Sequence, residues 1–386
     1  MPFVLLAVIL SIFCFERFIP LELKSILYAL SLSIKSVILF VLPIIIFSLL
    51  FCAALRLADR ATKIIGLIIA GVCISNFIAT FVSHYVGQWV YRFDLSLFVP
   101  TESISLKPYW LFELPRFIAN DKAMFAGLIL GIISSLVRFQ YAHVLAKKME
   151  KVVSIILNTI IYMIPFFVAG FVIKLQYDGV MATIIKDYAL IFVVIACAQF
   201  FYITCMYLLA NRFNISKVIE SIKNMLPAAL TGFSTMSSAA AMPFTIIGSE
   251  KNCEDKNIAR AVIPATVNIH LMGDCFAIPI FAYAVLKNFG VAEPSLLSFV
   301  IFACYFVFAK FSVAAIPGGG ILVMLPILES HLGFNGQMMS LITALYILFD
   351  PVITCANVLG NGEFAMIIDR LHSRLNKNVI EKKGNR

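Results

Sequence analysis

Four apolar segments in the second half of the chain decide its fold: LTGFSTMSSAAAMPF (230–244), VIPATVNIHLMGD (262–274), SVAAIPGGGILVML (312–325) and ILFDPVITCANVLGNG (347–362). Each combines residues that suit lipid with small or polar residues and with proline or glycine, which interrupt regular helix. An interrupted helix exposes backbone amides and carbonyls, which are tolerated at membrane depth only against protein or a water-filled cavity. We therefore predict a solute-binding site within residues 225–365.

The composition of the whole chain places these segments in a membrane. Of its 386 residues, 61% are hydrophobic and 13% are charged, and the mean hydropathy is +0.97. Soluble domains have about 45–50% apolar and about 25% charged residues, so this excess is more than one globular core can bury. The net charge of +9 comes from basic residues between the apolar segments, which argues against nucleic acid as a partner. The nine cysteines lack metal-ligand spacing and are interpreted as small apolar residues.

The first half of the chain contains a series of uninterrupted apolar stretches. A spanning helix needs roughly 20 such residues, and the long connection 92–119 is expected outside the membrane. Lys and Arg concentrate in alternate loops and in the C-terminal tail, which predicts that both termini are cytoplasmic. We expect a multi-pass protein in the lipid bilayer of a bacterial inner membrane. The predicted spans are about 2–19, 25–57, 62–91, 120–142, 152–176 and 186–211.

The interrupted segments resemble those of the dicarboxylate/amino acid:cation symporter family, the glutamate transporter family. That family has two re-entrant helical hairpins. TMSSAAAMP (235–243) is similar to the serine-rich tip of the first hairpin, and AAIPGGG (314–320) is similar to the glycine-rich tip of the second. Residues 262–274 resemble the unwound seventh helix of the family, and DPVITCANVLGNG (350–362) resembles the eighth. The resemblance covers nearly the whole chain.

The resemblance implies an all-α membrane protein with eight transmembrane helices plus two re-entrant helical hairpins, an elevator fold. Helices one, two, four and five would form a scaffold and trimerisation domain, residues 1–60 and 115–180, within a homotrimer. Helices three and six, both hairpins, and helices seven and eight would form a transport domain, residues 61–92 and 185–375, that slides across the membrane. Residues 376–386 would be a cytoplasmic tail.

The first hairpin tip contains two candidate ligands, Ser237 and Ser238. Their hydroxyls, the exposed backbone N–H groups and the positive end of a half-helix suit a carboxylate. The alternative is a small-residue contact between helices. At the second tip, the run of glycines after Pro317 is either a plain turn or a re-entrant gate, and the resemblance implies an extracellular gate.

The eighth helix contributes an acidic residue at membrane depth. Asp350 is a functional candidate by default, because a charge there is expensive; the alternative is a structural hydrogen bond. The resemblance implies that Asp350 binds a substrate ammonium, with Thr354 and Asn357 on the same face. The candidate substrate-binding residues are Ser237, Ser238, Ile316, Pro317, Gly318, Gly320, Asp350, Ile353, Thr354 and Asn357.

One departure from the family pattern concerns the substrate. Ile353 occupies the position at which carriers of acidic substrates have an arginine. An uncharged side chain cannot make the bidentate contact with a second carboxylate. Ile353 therefore favours a neutral amino acid over a dicarboxylate, although the substrate class remains a small amino acid or carboxylate.

Other departures concern the coupling cation. The family motif N-M-D-G-T corresponds to His270–Asp274, so Met272 stands in place of a sodium-binding aspartate. Asn361 replaces another, and Lys310 stands where a serine provides a sodium-coordinating carbonyl. Hard cations prefer oxygen ligands, so we predict no metal site and no cofactor beyond a coupling cation, H⁺ or Na⁺. The candidate coupling residues are Asn268, His270, Asp274, Lys310 and Asn361.

Proton coupling is the favoured hypothesis, because His270, Asp274 and Lys310 are titratable and lie at membrane depth. In it, the Lys310 ammonium fills a vacated sodium position. The alternative is that Lys310 extends to a membrane interface and that His270 is a hydrogen-bonded core histidine.

Three classes of function are compatible with these segments. The first is a secondary active symporter, and the second is an uncoupled facilitator or anion channel on the same fold. The third, an intramembrane enzyme, is disfavoured because Asp274 and Asp350 lie in different segments without a recognisable acid–base partner. The sequence also lacks a Walker-type phosphate loop, which excludes a primary pump of that class.

Overall fold

The computed structural model describes residues 2–59, 63–95, 106–115, 118, 120–137, 141–179, 181–313 and 317–384. All regular elements in this part of the chain are helices. The helices are α1 (Pro2–Phe15), a short 3₁₀ turn (Glu16–Phe18), α2 (Leu21–Asp59), α3 (Lys63–Tyr91), α4 (Asn120–Leu136), α5 (Ala142–Tyr177), α6 (Met181–Ala210), α7 (Ile215–Thr235), α8 (Ser238–Asn252), α9 (Lys256–Thr266), α10 (Met272–Asn288), α11 (Leu296–Lys310), α12 (Gly319–Leu332) and α13 (Gly336–Gly384).

Within the described residues, four helical segments are long and apolar enough to cross a membrane: Leu21–Cys52, Gly66–Tyr91, Lys186–Ala210 and Gly336–Arg374. Shorter apolar helices accompany them, and many large apolar side chains on their outer faces are exposed in the isolated chain. Such a surface suits lipid rather than water. The chain is therefore an all-helical, multi-pass membrane protein, while the predicted total of eight spans stays a prediction.

The helices pack in two groups. In the first, α2 lies along α4 and α5, and α1 packs on α5. In the second, α10 packs against α3, α6 and α13, while α7 packs against both α8 and α13. One contact between the groups is made by Lys35 of α2, whose Nζ donates to the Gly336 carbonyl at 2.6 Å and to Ser340 Oγ at 3.1 Å.

Glycines allow the first group to pack at backbone distance. A Cβ added to Gly170 of α5 would lie 2.1 Å from the Leu27 carbonyl oxygen of α2, and one added to Gly131 of α4 would lie 2.6 Å from the Phe51 carbonyl oxygen. Small residues at helix contacts are the usual means of close packing in membranes, where burial of apolar surface drives association weakly.

The predicted interruption at residues 262–274 is confirmed. Helix α9 ends at Thr266 and α10 begins at Met272. Two carbonyl groups between these helices accept hydrogen bonds from asparagine side chains. Asn76 Nδ2 donates to the Ile269 carbonyl at 2.7 Å, and Asn361 Nδ2 donates to the His270 carbonyl at 3.1 Å. The break is stable at membrane depth because α3 and α13 supply these donors.

The two hairpin tips are also interrupted, as predicted. Between α7 and α8 the chain turns at Met236, which has a left-handed φ of 54°, and the Ser237 hydroxyl caps α8 by accepting from the Ala240 N–H at 3.2 Å. Helix α12 begins after Gly318, whose φ of 71° favours glycine. Ile316, one of the predicted substrate ligands, lies outside the described residues.

The predicted interruption at residues 347–362 is wrong. These residues lie inside α13, which continues through Pro351 as helix. The glycines serve close contacts between helices instead: a Cβ at Gly360 would lie 2.7 Å from Met272 Cγ, and one at Gly362 would lie 2.8 Å from the Tyr207 hydroxyl oxygen. In membranes, neighbouring helices and local adjustments satisfy the backbone around a helical proline, so Pro351 does not end the helix.

The first predicted span is shorter than expected. Helix α1 ends at Phe15, and Glu16 and Arg17 form the 3₁₀ turn that follows. These two charged residues are a physical reason for the end of the apolar helix at this point.

The close packing of α5 on α2 predicts that Gly170→Ala destabilises the protein. Its methyl group overlaps the Leu27 carbonyl, and overpacking of this kind costs about 1–3 kcal/mol. The control is Gly66→Ala in α3, where nothing lies within 4 Å of an added Cβ. Thermal melting of the detergent-purified variants, followed by size-exclusion chromatography, is expected to show a lower midpoint for Gly170→Ala alone. Equal midpoints for both variants would contradict the described packing of α2 and α5.

Candidate substrate site

A small polar cavity, here called the central cavity, lies where both hairpins meet α10 and α13. Its volume is about 20 Å³, enough for about one water molecule. In the state described, it is therefore closed to any larger solute. The lining residues are Met236, Ser238, Leu271, Asp274, Val313, Gly320, Tyr346, Asp350, Thr354 and Asn357.

Asp350 occupies one wall of the central cavity and is 2% exposed. One carboxylate oxygen accepts the Gly318 N–H at 2.7 Å, and the other accepts the Thr354 hydroxyl at 3.0 Å. The tip before α12 thus supplies a backbone donor to this buried charge. Each carboxylate oxygen accepts one of these hydrogen bonds and can accept a second.

Three helices begin at the central cavity. Ser238 is the first residue of α8, Met272 is the first of α10, and Gly319 is the first of α12. Lining residues from the start of each helix, such as Ser238, Asp274 and Gly320, bring these N-termini around one space. Helix N-termini carry partial positive charge and unpaired N–H groups. Their convergence makes the cavity suitable for an anionic group.

A buried ion pair lies beside the cavity. Lys310 Nζ is 3.1 Å from Asp274 Oδ2 and 3.5 Å from the Leu271 carbonyl, and it lies 4.6 Å from the centre of the Phe306 ring. Asp274 Oδ1 accepts the Tyr346 hydroxyl at 2.8 Å. Lys310 is 0% exposed, so the alternative in which it extends to a membrane interface is wrong.

His270 is buried in the α9–α10 break, and one of its two ring nitrogens has a hydrogen-bond partner. Its Nε2 lies 3.0 Å from Ser75 Oγ of α3, and its ring stacks on Phe364 at 4.3 Å between centroids. Its Nδ1 has no hydrogen-bond partner in the described part of the chain. The prediction of a hydrogen-bonded core histidine therefore holds for one ring nitrogen.

The remaining candidate residues are spread around this centre. Ser237 is half-buried at the N-cap of α8, and Pro317 is half-buried before Gly318. Asn268 is exposed in the α9–α10 break. Ile353 is fully buried, with its carbonyl oxygen 2.3 Å from the position of a Cβ at Gly273, whose N–H donates to Asn357 Oδ1 at 2.8 Å.

Sequence reasoning missed some residues that organise the site. Tyr346 lies four residues before Asp350, so its place on the same face of α13 was a detectable signal. Ser75 and Asn76 are a polar pair inside the apolar α3 and support the α9–α10 break. Only the packing of α3 on α10 gives them that role.

The Lys310 charge bears on whether a sodium ion could bind at Asp274. Within the described residues, His, Cys, Asp and Glu side chains form no group of three or more that could hold a metal ion. Asp274, in the first turn of α10, already binds the Lys310 ammonium. A sodium ion at Asp274 would face this positive charge.

Comparison with known proteins gives a consistent result. Residues 122–371, well over half of the chain, match the model of the sodium:dicarboxylate symporter family. The chain is 28% identical to excitatory amino acid transporter 1 of Mus musculus over 226 residues, which cover 58% of this chain and 40% of the relative. It is 26% identical to excitatory amino acid transporter 3 of Bos taurus over 263 residues, 64% of this chain and 48% of the relative. The alignments thus span less than half of the length of these curated relatives.

The buried ion pair predicts that a single substitution lowers the stability of the protein much more than the double substitution does. Lys310→Met leaves the Asp274 charge buried without its cation, and breaking such a pair costs about 3–5 kcal/mol. The double variant Lys310→Met with Asp274→Asn removes both charges and keeps an acceptor for Tyr346, so its melting midpoint is expected to return towards that of the wild type. Thermal melting of both purified variants tests this. A single variant as stable as the wild type would show that the pair is not formed.

Proposed function

The chain belongs to the sodium:dicarboxylate symporter family, and on this premise we propose that it is a cation-coupled secondary transporter for a small amino acid or a related carboxylate. Membership of a transporter family also supports the expectation that it is not an enzyme. The matched relatives are transporters by name, and the proposed site lies inside the matched residues.

The observation that carries the proposal is the charge arrangement of the central cavity. Asp350 provides one negative charge, and the N-termini of α8, α10 and α12 provide partial positive charge in the same space. A zwitterion with one ammonium and one carboxylate complements both. Thr354 and Asn357, one and two turns beyond Asp350, add a hydroxyl and an amide. This arrangement supports an amino acid as the substrate.

A neutral amino acid fits the proposed site better than a dicarboxylate. Ile353 supplies no charge, and the buried Lys310 is already engaged by Asp274. A second carboxylate would thus meet no uncommitted cation among the described residues that line the cavity. Burial of an unpaired charge is strongly unfavourable, so this absence selects against dicarboxylates.

Loading of the site requires movement of the second tip. The cavity of about 20 Å³ is too small for an amino acid, and the Gly318 N–H holds the second tip against Asp350. Movement of the α11–α12 hairpin away from α13 would release Asp350 and enlarge the cavity. In this proposal the hairpin is a re-entrant gate.

The two packing groups support an elevator mechanism. Helices α1, α2, α4 and α5 would form the scaffold, and α3 with α6–α13 would form the transport domain, which contains the whole central cavity. The proposed assembly is the homotrimer implied by the family resemblance. The Lys35 contacts with Gly336 and Ser340 would have to break when the transport domain moves.

Protons are the proposed coupling cation. The Lys310 ammonium is held by a carboxylate, a carbonyl in a helix break and an aromatic face, which are ligands that a coupling cation would use. This tethered charge would take the place of sodium. Because this charge is covalently attached to the chain, the same observation favours an uncoupled facilitator as the second candidate function.

The charge complementarity predicts which ligands stabilise the protein. L-serine and L-alanine are expected to raise the melting midpoint of the purified chain, because a ligand that binds only the native state stabilises it, while succinate and L-glutamate are expected to have little effect. Asp350→Asn should abolish the shift. The control Glu220→Gln, at an exposed position on α7, should preserve it. Shifts confined to L-glutamate and succinate would contradict the inference from Ile353.

The coupling proposal predicts the response to imposed ion gradients. In proteoliposomes, concentrative uptake of the stabilising amino acid is expected with an inward proton gradient and is expected to be unaffected by an inward sodium gradient. Uptake driven by sodium alone would overturn proton coupling. Uptake that equilibrates without concentrating under either gradient would establish the facilitator.

A further inference from the structure

One buried carboxyl group is not explained by the central cavity. Glu363 of α13 is 0% exposed, and neither of its carboxyl oxygens has a hydrogen-bond partner in the described part of the chain. Asp274 and Asp350, which lie on the cavity, each accept at least two hydrogen bonds. Glu363 therefore differs from them in its environment and calls for a separate explanation.

Among the described residues, Glu363 has neither a salt-bridge partner nor a hydrogen-bond partner. Tyr202 and Tyr207 of α6 lie within electrostatic range of Glu363. The hydroxyl of Tyr207 donates to the Leu359 carbonyl at 3.0 Å, so its proton is already used. The other titratable groups near these two tyrosines are Cys253, Cys275 and Cys205.

Three other charged or titratable groups, on α13 or on the elements around it, are bound to partners other than Glu363. His270 binds Ser75 through Nε2, and Lys310 pairs with Asp274. Asp369, further along α13, accepts the Glu254 N–H at 2.7 Å. An ionised Glu363 would thus be a buried anion with neither a cation nor a donor, which is among the least favourable states of a carboxyl group.

We propose that Glu363 binds a proton in this conformation, and that this proton is the coupling ion carried with the substrate. The coupling role rests on the proposed function, whereas the binding of the proton does not. The neutral acid suits the packed contact in which Gly362 lies against Tyr207 of α6 and Met225 of α7. Loss of the proton requires a path from the carboxyl group to water, and the complete burial of Glu363 closes that path in this conformation.

The position of Glu363 connects it mechanically to the substrate site. It lies 13 residues beyond Asp350 on the continuous α13, about 20 Å along the helix axis. Both residues belong to the group of helices proposed to move together. A proton on Glu363 and a substrate at Asp350 would therefore cross the membrane on one rigid element.

Infrared spectroscopy of the purified full chain tests proton occupancy without any substrate. The wild type is expected to show a carbonyl-stretch band from a protonated carboxyl in an apolar environment at neutral pH. Glu363→Gln, which is isosteric and permanently neutral, should lose that band. Glu220→Gln, at an exposed position on α7, serves as the matched control and should keep it. An unchanged band in Glu363→Gln would overturn the proposal.

Transport assays test the coupling role. Proteoliposomes containing a pH-sensitive dye receive L-alanine, L-serine or succinate as the probe. Wild-type uptake is expected to acidify the lumen and to accelerate with an inward proton gradient, whereas Glu363→Gln should lose both effects but still exchange external for internal probe. Acceleration by the gradient in Glu363→Gln would contradict the coupling role.

The two proposals fail in distinguishable ways. If the wild type transports none of the three probes, the proposed function and the coupling role fall together, and the infrared band still decides whether Glu363 holds a proton. If the wild type transports a probe and Glu363→Gln transports it with unchanged proton coupling, the proposed function stands. The coupling role of Glu363 is then wrong.

Discussion

Backbone groups that leave a helix at membrane depth need a partner within the protein, and the structure around the central cavity depends on this constraint. Asn76 and Asn361 serve the carbonyls of Ile269 and His270 in the α9–α10 break. Asp350 accepts the Gly318 N–H at the start of α12. Each partner comes from another helix, so the breaks are stable only when α3, α10, α12 and α13 are packed together.

The same constraint brings charged and partly charged groups together around one cavity. The positive ends of three helices favour an anion, and the carbonyl of Leu271 favours a cation. Side chains of the protein itself provide both charges: Asp350 and Asp274 are the anions, and Lys310 is the cation. A site that is balanced internally can close around about 20 Å³ of space.

Three carboxyl groups of the buried core differ in how the protein satisfies them. Asp274 has an ammonium and a phenol, Asp350 has a backbone amide and a hydroxyl, and Glu363 has no hydrogen-bond partner among the described residues. The composition of the chain did not distinguish them, because all three are acidic residues within apolar stretches. Their separate environments arise from which neighbouring helix each one faces.

The sequence by itself determined the membrane class, the helical fold and three of the four interruptions, since lipid compatibility and the backbone effects of proline and glycine are local properties. It also identified Asp350, Thr354 and Asn357 as one face of a helix, because spacing along a helix is local. Only the tertiary structure decided that α13 continues through Pro351, that Lys310 is buried against Asp274, and that Tyr346, Asn76 and Ser75 support the site. Those outcomes depend on donors and acceptors from residues distant in the chain, and the hydrophobic pattern of a single segment contains no information about them.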